Sequence, residues 1–217
     1  MVVTGVYKRK TNYDIYLDNE FAFTLSEDGL YKLKLSKGKE FVPSEKVNQI
    51  LQEDEVTRSK NRAMYMVSVT QKSIKYIEDK LKQEGFSEYA IEKTVEFLKE
   101  YSLVDDIGLA EAIVNKENRQ HKSQRQIQQK LMQRGISKAD QKSVMDEIQV
   151  DDNANALETA LKKYKSVKNK PEDEIIKKIM YTLSYRGFSY SSANYAMSRI
   201  KEMIKEEFEA DNNYEEI

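Results

Sequence analysis

Apolar and polar positions follow two different periods along this chain. Tyr13 to Leu17 and Glu20 to Leu25 alternate, and both runs are rich in Tyr, Phe, Ile and Thr. A period of two in β-branched and aromatic residues marks a strand with one buried face. Val6-Tyr7-Lys8-Arg9-Lys10 reads as a further strand. Asp18-Asn19 separates the two alternating runs, and both residue types tolerate the positive φ of a tight hairpin. Ser26-Glu27-Asp28-Gly29 ends that hairpin, and a short helix and a turn at Lys37-Gly38-Lys39 follow. So small a sheet needs a partner surface to be stable.

From about residue 44 the period becomes helical. Ser44, just after Pro43, is placed to cap a helix through Gln52. The chain then repeats itself. Leu81-Lys-Gln-Glu-Gly85-Phe86-Ser87 recurs as Leu131-Met-Gln-Arg-Gly135-Ile136-Ser137 and as Leu183-Ser-Tyr-Arg-Gly187-Phe188-Ser189, the glycines being 50 and then 52 residues apart. A second marker keeps the same order: Val104-Asp105-Asp106 with Ala110, then Val150-Asp151-Asp152 with Ala156, and more loosely Asp54-Glu55. The Asp pairs suit a helix start, where carboxylates accept free N–H groups at the positive end of the dipole. The Gly suits a left-handed helix stop, with the apolar residue folding back and the Ser capping the next helix. These signals predict three helices per unit: 55–68, 73–84 and 88–101; 106–121, 123–134 and 137–148; 152–168, 172–186 and 190–208. Ile74, Ile77 and Leu81 share one face, as do Ile127 and Leu131, and Ile175, Ile179 and Leu183.

The expected fold is therefore mainly α: three tandem three-helix repeats in an elongated, curved array, preceded by a small β-rich N-terminal element. The divisions are 1–50 for the β-hairpin element, 51–104, 105–149 and 150–209 for the repeats, and 210–217 for an acidic tail. Composition agrees, since 34% charged and 39% hydrophobic residues suit a helical array with much surface per residue. The absence of cysteine excludes disulfides, thiolate metal sites and cysteine nucleophiles, and fits a reducing cytoplasm. No run of eighteen apolar residues predicts a membrane span, and Met1-Val2-Val3-Thr4-Gly5 lacks the pattern of a signal peptide.

Net charge is −1, so the overall balance does not argue for nucleic acid, but its distribution is uneven. Val114 to Gly135 holds six Lys/Arg against one acid, and Lys162 to Arg186 holds eight against Glu172, Asp173 and Glu174. From Glu202 onward seven acids face only Lys205. Lys116, Arg119, Lys122, Arg125, Lys130 and Arg134 are candidate contacts to an acidic groove or to phosphates. Lys162, Lys163, Lys165 and Lys168, with Lys170 and Tyr164, form a second candidate group, although lysines at a helix C-terminus also complement its dipole. The acidic run from Glu206 reads as frayed and solvated, with DNA mimicry or restraint of the basic groove as the rival reading. Asp105, Asp106, Asp151 and Asp152 read as caps rather than a metal site. His121, the only histidine, has no partner motif for catalysis or metal binding. No glycine-rich nucleotide fingerprint occurs, and no cofactor is expected. Tyr65, Tyr76 and Tyr181 fall at apolar helical positions, which favours core packing over stacking on bases.

The order of these features resembles the RecX family of recombinase regulators. Leu103-Val104-Asp105-Asp106 with Ala110, then Arg125-Gln126-Ile127-Gln128-Gln129-Lys130-Leu131 with Arg134-Gly135-Ile136, is similar to that family's paired motifs. Tyr13-Asp14-Ile15-Tyr16-Leu17-Asp18 through Glu20-Phe21-Ala22-Phe23 resembles the β-hairpin that precedes the repeats in Gram-positive-type members. The chain departs from the pattern at Leu109, where an aromatic is common, and at Val69-Thr70-Gln71-Lys72, where one charge stands in place of a basic stretch. His121-Lys122-Ser123 replaces the glycines usual before the second basic helix. The resemblance implies a protein that is not an enzyme. It implies binding to the RecA recombinase filament on single-stranded DNA, lowering recombination, ATP hydrolysis and the SOS co-protease activity. It also implies a cytoplasmic protein acting as a monomer, away from membranes, with single- or double-stranded DNA as a further candidate partner. Two rivals stand beside it. A direct DNA-binding protein would use one helix of a three-helix unit and show steep salt dependence. A protein-interaction adaptor unrelated to recombination would leave recombinase activity unchanged.

Overall fold

The computed structural model describes residues 1–215, with side chains through 206. The acidic tail's side chains, and with them the frayed-tail and DNA-mimic readings, lie outside the described residues. The chain divides into two compact units, Met1–Asp105 and Asp106–Ile217.

The first unit opens with strands β1 (Val3–Lys8), β2 (Asn12–Leu17) and β3 (Glu20–Ser26). They form an antiparallel sheet in that order, with Val6 opposite Ile15 and Ile15 opposite Phe23. Asp18 and Asn19 take φ of 48° and 73°, the primed hairpin turn that their identities predict. β1 begins earlier than the apolar run at Val6 indicates, because Val3 is fully buried and pairs with Leu17. Ser26 does not end the hairpin passively: its side chain accepts from Gly29 N and caps α1 (Glu27–Leu33).

Two predicted helices are one. Helix α2 (Glu45–Val69) runs unbroken through residues 52–55. Gln52-Glu53-Asp54-Glu55 contains no Gly or Pro, so nothing local stops the helix. Both halves find a core. Val47 and Leu51 pack with Val3, Ile15, Leu25 and Phe41 of the sheet element. Ala63 and Met66 pack with Ile77, Leu81, Ile91, Val95 and Leu98 of α3 (Ile74–Gln83) and α4 (Glu88–Glu100).

Asp54 therefore does not open a helix but sits buried in the middle of one. It accepts from the Ser26 hydroxyl, from Ser26 N at 3.1 Å and from Arg58 Nε at 2.8 Å. Gly29 passes so close that a Cβ there would collide with the Asp54 carboxylate. Arg58 also lies over the Phe86 ring. Glu55 reaches the other way and accepts from Ser87 N and Oγ at 2.9 and 2.7 Å, at the start of α4. The Asp-Glu pair that sequence comparison aligns with helix starts thus cross-links three elements.

The second unit holds two three-helix bundles. Helices α5 (Asp106–Arg119), α6 (Gln124–Gln133) and α7 (Lys138–Ile148) enclose Leu109, Ala110, Val114, Ile127, Leu131, Ile136, Val144 and Met145. Helices α8 (Asp152–Val167), α9 (Glu172–Tyr185) and α10 (Tyr190–Glu215) enclose Ala156, Ala160, Ile175, Ile179, Leu183, Phe188, Ala196 and Ile200. The last helix continues past residue 208, where the apolar pattern alone stops it. Each fully buried Leu or Ile contributes about 1.5–3 kcal/mol, so every unit has its own hydrophobic driving force.

The recurrent glycines do what the repeat predicts. Gly85, Gly135 and Gly187 have φ of 85°, 77° and 77°. In each case the next residue's N–H bonds back to the conserved-position leucine: Phe86 to Leu81, Ile136 to Leu131 and Phe188 to Leu183, all at 3.1 Å. This is the Schellman arrangement, with the apolar residue folded onto the helix it ends. Ser87 and Ser137 then cap α4 and α7 through Ala90 N and Asp140 N, and Ser189 accepts from Ser192 N at the start of α10. α5 closes the same way with a non-glycine, His121 at φ 54°, and Lys122 N bonds back to Glu117.

Replacing Asp54 with Ala is expected to destabilise the first unit by about 3–5 kcal/mol, because Arg58 and Ser26 N lose their partner in a buried setting. Urea unfolding followed by circular dichroism measures this directly. A change below about 1 kcal/mol would show that α2 and the sheet element are held by apolar contacts alone.

Candidate functional site

A polar junction between the two bundles of the second unit positions part of the basic set. α6 begins where α9 ends. Ser123 is fully buried; its Oγ accepts from Gln126 N at 3.3 Å and donates to the Arg186 carbonyl at 2.7 Å. Arg186 closes α9, so a helix start with partial positive charge faces a helix end with partial negative charge. Gln124 N, another open donor of the first turn of α6, is taken by Asp152 at 2.8 Å, and Gln124 Nε2 donates to the Val150 carbonyl at 2.8 Å. From α8, Asn155 Nδ2 donates to Asn118 Oδ1 at 2.7 Å and to the Lys122 carbonyl at 3.2 Å. Thr159 donates to the His121 carbonyl at 3.3 Å. Gly187 allows the close approach: a Cβ there would lie 3.3 Å from Arg125 Cδ.

The acidic pair divides its work across this junction. Asp151 caps α8 by accepting from Asn153 N and Ala154 N at 2.9 and 3.0 Å, while Asp152 reaches α6. Backbone donors account for both carboxylates. Among the described residues, no group of three or more His, Asp or Glu gathers in metal-binding proximity. No described helix is long and apolar enough to cross a membrane.

Four candidate cations flank the junction residues along the chain. Arg119 is the last residue of α5, Lys122 precedes the buried cap, and Arg125 lies in the first turn of α6. Lys162 follows Thr159 by one turn along the α8 face that carries Asn155 and Thr159. The others spread away. Lys130 lies about 140° around α6 from Arg125, and Lys116 sits one turn back on α5. Arg134 closes the far end of α6. Lys165 and Lys168 turn about 60° and 120° away from Lys162 around α8. Lys163 lines a groove with α9.

Some cations of the first unit are compensated by a carboxylate. There Arg9, Lys32, Arg58, Arg62, Lys75, Lys82 and Lys93 each pair with a carboxylate. Among the described residues, none of Lys116, Arg119, Lys122, Arg125, Lys130, Lys162, Lys163, Lys165 and Lys168 has a carboxylate within the 4.0 Å of an ion pair.

The tyrosine assignments are corrected. Tyr164, grouped above with the lysines, is buried in the third core. Tyr65, Tyr76 and Tyr181, expected in the core, are exposed. Tyr65 and Tyr76 lie under Arg62 and Lys72 instead. Tyr181 is two residues from both Ile179 and Leu183, which puts it about 200° around α9 from either. The second basic group was only half visible in the sequence. Glu174 bonds Lys170 at 2.8 Å and Lys178 at 2.6 Å, beside Lys163, Lys177 and Tyr181. The i, i+4, i+7, i+11 spacing of Glu174, Lys178, Tyr181 and Tyr185 is the signal that marks this face.

Lys170 and Lys178 hold the Glu174 carboxyl at about 2, below its ordinary 4.5, chiefly through their hydrogen bonds. A depressed carboxyl pKa means the clamp is fully present above pH 4.5 and is lost as pH falls through about 2. The Glu174 carboxyl carbon is expected to titrate with a midpoint near 2 by NMR, rising toward 4.5 in Lys178→Gln. A wild-type midpoint near 4.5 would show that the clamp does not form. Separately, Ser123→Ala is expected to cost about 1–2 kcal/mol in thermal unfolding, since one hydroxyl caps α6 and satisfies the end of α9.

Known proteins share this architecture. A family model described as the regulatory protein RecX N-terminal domain matches residues 3–42, and one described as RecX, third three-helix domain, matches residues 151–197. The regulatory protein RecX of Clostridioides difficile (strain 630) is 32% identical over 204 residues, covering 92% of this chain and 95% of that protein. The regulatory protein RecX of Clostridium perfringens (strain SM101 / Type A) is 32% identical over 201 residues, covering 90% and 93%. Among solved structures, a crystal structure of a regulatory protein RecX aligns with a TM-score of 0.61 at 27% identity, covering 91% of this chain and 98% of that one. RecX from Lactobacillus salivarius shares the fold at a TM-score of 0.61 and 20% identity, over 69% of this chain and 98% of that one.

Proposed function

The chain belongs to the RecX family of regulatory proteins, and on that premise we propose that it binds the RecA recombinase–single-stranded DNA filament and inhibits it. Recombination, ATP hydrolysis and SOS co-protease activity would all fall, because each requires the assembled filament. The protein acts as a cytoplasmic regulator and not as an enzyme.

The observation that carries this reading is the set of candidate cations in the second unit, Arg119, Arg125 and Lys162 among them, that have no ion-pair partner among the described residues, beside the Ser123–Arg186 and Asp152–Gln124 bonds. A filament coated along a DNA strand is a repeating anionic target, and each exposed cation on a rigid frame meets it at little added entropic cost. Many weak contacts on one rigid body bridge neighbouring subunits and oppose the rearrangements of assembly and turnover. The net charge of −1 gives the chain as a whole no long-range attraction to duplex DNA, which favours the filament over the DNA-only reading.

DNA-stimulated ATP hydrolysis by the host's RecA-type recombinase is expected to fall on adding substoichiometric wild-type protein. The triple variant Arg119→Glu, Arg125→Glu, Lys162→Glu, checked for folding by its thermal transition, is expected to lose most of that inhibition. No inhibition by folded wild-type protein at any ratio would sink the regulator reading. Undiminished inhibition by the variant would move the contact away from the junction.

A further inference from the structure

We propose that the exposed face of α9, together with Lys163 of α8, is a binding site for single-stranded nucleic acid: bases stack on Tyr181 and Tyr185, and phosphates lie along Lys163, Lys177 and Lys178. This goes beyond filament inhibition and does not depend on it, since the site needs no recombinase.

The face is built by the helix period. Ile175, Ile179 and Leu183 turn into the third core, which leaves Glu174, Lys178, Tyr181 and Tyr185 along the opposite side. Tyr181 is 71% exposed and Tyr185 81% exposed. Their rings lie 6.2 Å apart between centroids and only 17° from parallel. Two aligned aromatic faces in water lose hydrophobic stabilisation that burial would return, so the arrangement suits a partner with flat apolar faces of its own. A free base is such a partner, and every base presents one.

The surroundings select an anionic occupant. A groove of about 530 Å³ runs between α8 and α9, lined by Lys163, Lys170, Lys177, Lys178, Tyr181 and Thr182. Its one acid, Glu174, is held by Lys170 and Lys178. Lys163 and Lys177 have no carboxylate partner among the described residues. Rings beside a lysine-lined channel are the combination that holds a single strand without reading its sequence. A duplex has its base faces stacked away from the rings. A protein partner would have to bring acids and an apolar surface together, and it is the outcome against which the proposal is tested.

The experiment uses the full chain without recombinase. Fluorescence anisotropy of a labelled oligothymidylate is followed across a salt series, with a duplex of equal length in parallel. The pair Tyr181→Ala/Tyr185→Ala is expected to weaken oligothymidylate binding roughly tenfold or more, with little change in the salt slope. Tyr181→Phe/Tyr185→Phe is expected to bind as wild type, because stacking does not need the hydroxyl. Lys163→Gln/Lys177→Gln is expected to reduce the magnitude of the salt slope by about 1–2. The altered side chains are solvent-facing, so thermal transitions near that of wild type should accompany these results.

Failure to bind oligothymidylate, or unchanged binding by the alanine pair, overturns the proposal. So does equal loss on duplex and single strand. If the alanine pair keeps oligothymidylate binding but loses inhibition of the recombinase, the rings contact protein and the proposal is wrong while filament inhibition stands. If it loses oligothymidylate binding and still inhibits, the proposal holds and the two sites are separate.

Discussion

A helix leaves its first N–H groups and last C=O groups without partners, and short helices bring those ends close to every core in this protein. Most of the structure follows from how the ends are satisfied. Leu81, Leu131 and Leu183 each accept the N–H of the apolar residue beyond a left-handed glycine. A serine then caps the next helix. This costs little chain and fixes the turn between the second and third helices of each repeat. The same need joins the two bundles of the second unit. Ser123 caps α6 and satisfies the end of α9, while Asp152 supplies a further acceptor to α6. A junction made of such bonds is directional in a way that apolar contact is not.

The first unit solves a different problem. A three-stranded sheet of this size cannot bury enough surface alone, and α2 gives it a second layer. One continuous helix serves the sheet core with Val47 and Leu51, and the first three-helix core with Ala63 and Met66. Where the two cores meet, Asp54 binds Ser26 and Arg58, and Glu55 binds Ser87. The carboxylates do not open a helix there, because the helix is already running. A buried carboxylate of this kind gains specificity of docking more than net stability, since its desolvation offsets much of its attraction.

Charge is compensated at some cations and left open at others. Several cations of the first unit are neutralised by neighbouring carboxylates, whereas among the described residues Lys116, Arg119, Lys122, Arg125, Lys130, Lys162, Lys163 and Lys165 have no ion-pair partner. Helix dipoles favour Lys116, Arg119, Lys130 and Lys165 in last turns. They do not account for Arg125 at a helix start or Lys162 beside the junction.

The amino-acid sequence by itself determined what is local. The period of apolar residues placed the hairpin and the helices that run between capped ends, because burial of one face is read directly from spacing. Gly, Ser and Asp at fixed offsets marked the helix ends, because only certain residues adopt those dihedrals or accept those bonds. Unequal charge blocks marked Val114–Gly135 and Lys162–Arg186 as basic and the run from Glu202 as acidic. Tertiary structure decided the rest. Gln52-Glu53-Asp54-Glu55 lets the helix continue, but nothing in it says that Asp54 is buried, since its partner lies 28 residues away at Ser26. The lysines around Tyr164 hid its place in a core, and the neighbouring helices bury it, whereas Tyr181, set against the core face by its spacing from Ile179 and Leu183, stays exposed. Helix α8 meets the α5–α6 turn only through Asn155 and Thr159, whose bonds to the Lys122 and His121 carbonyls span 33 and 38 residues. Spacing records what one element does with its own faces; which faces meet is a property of several elements at once.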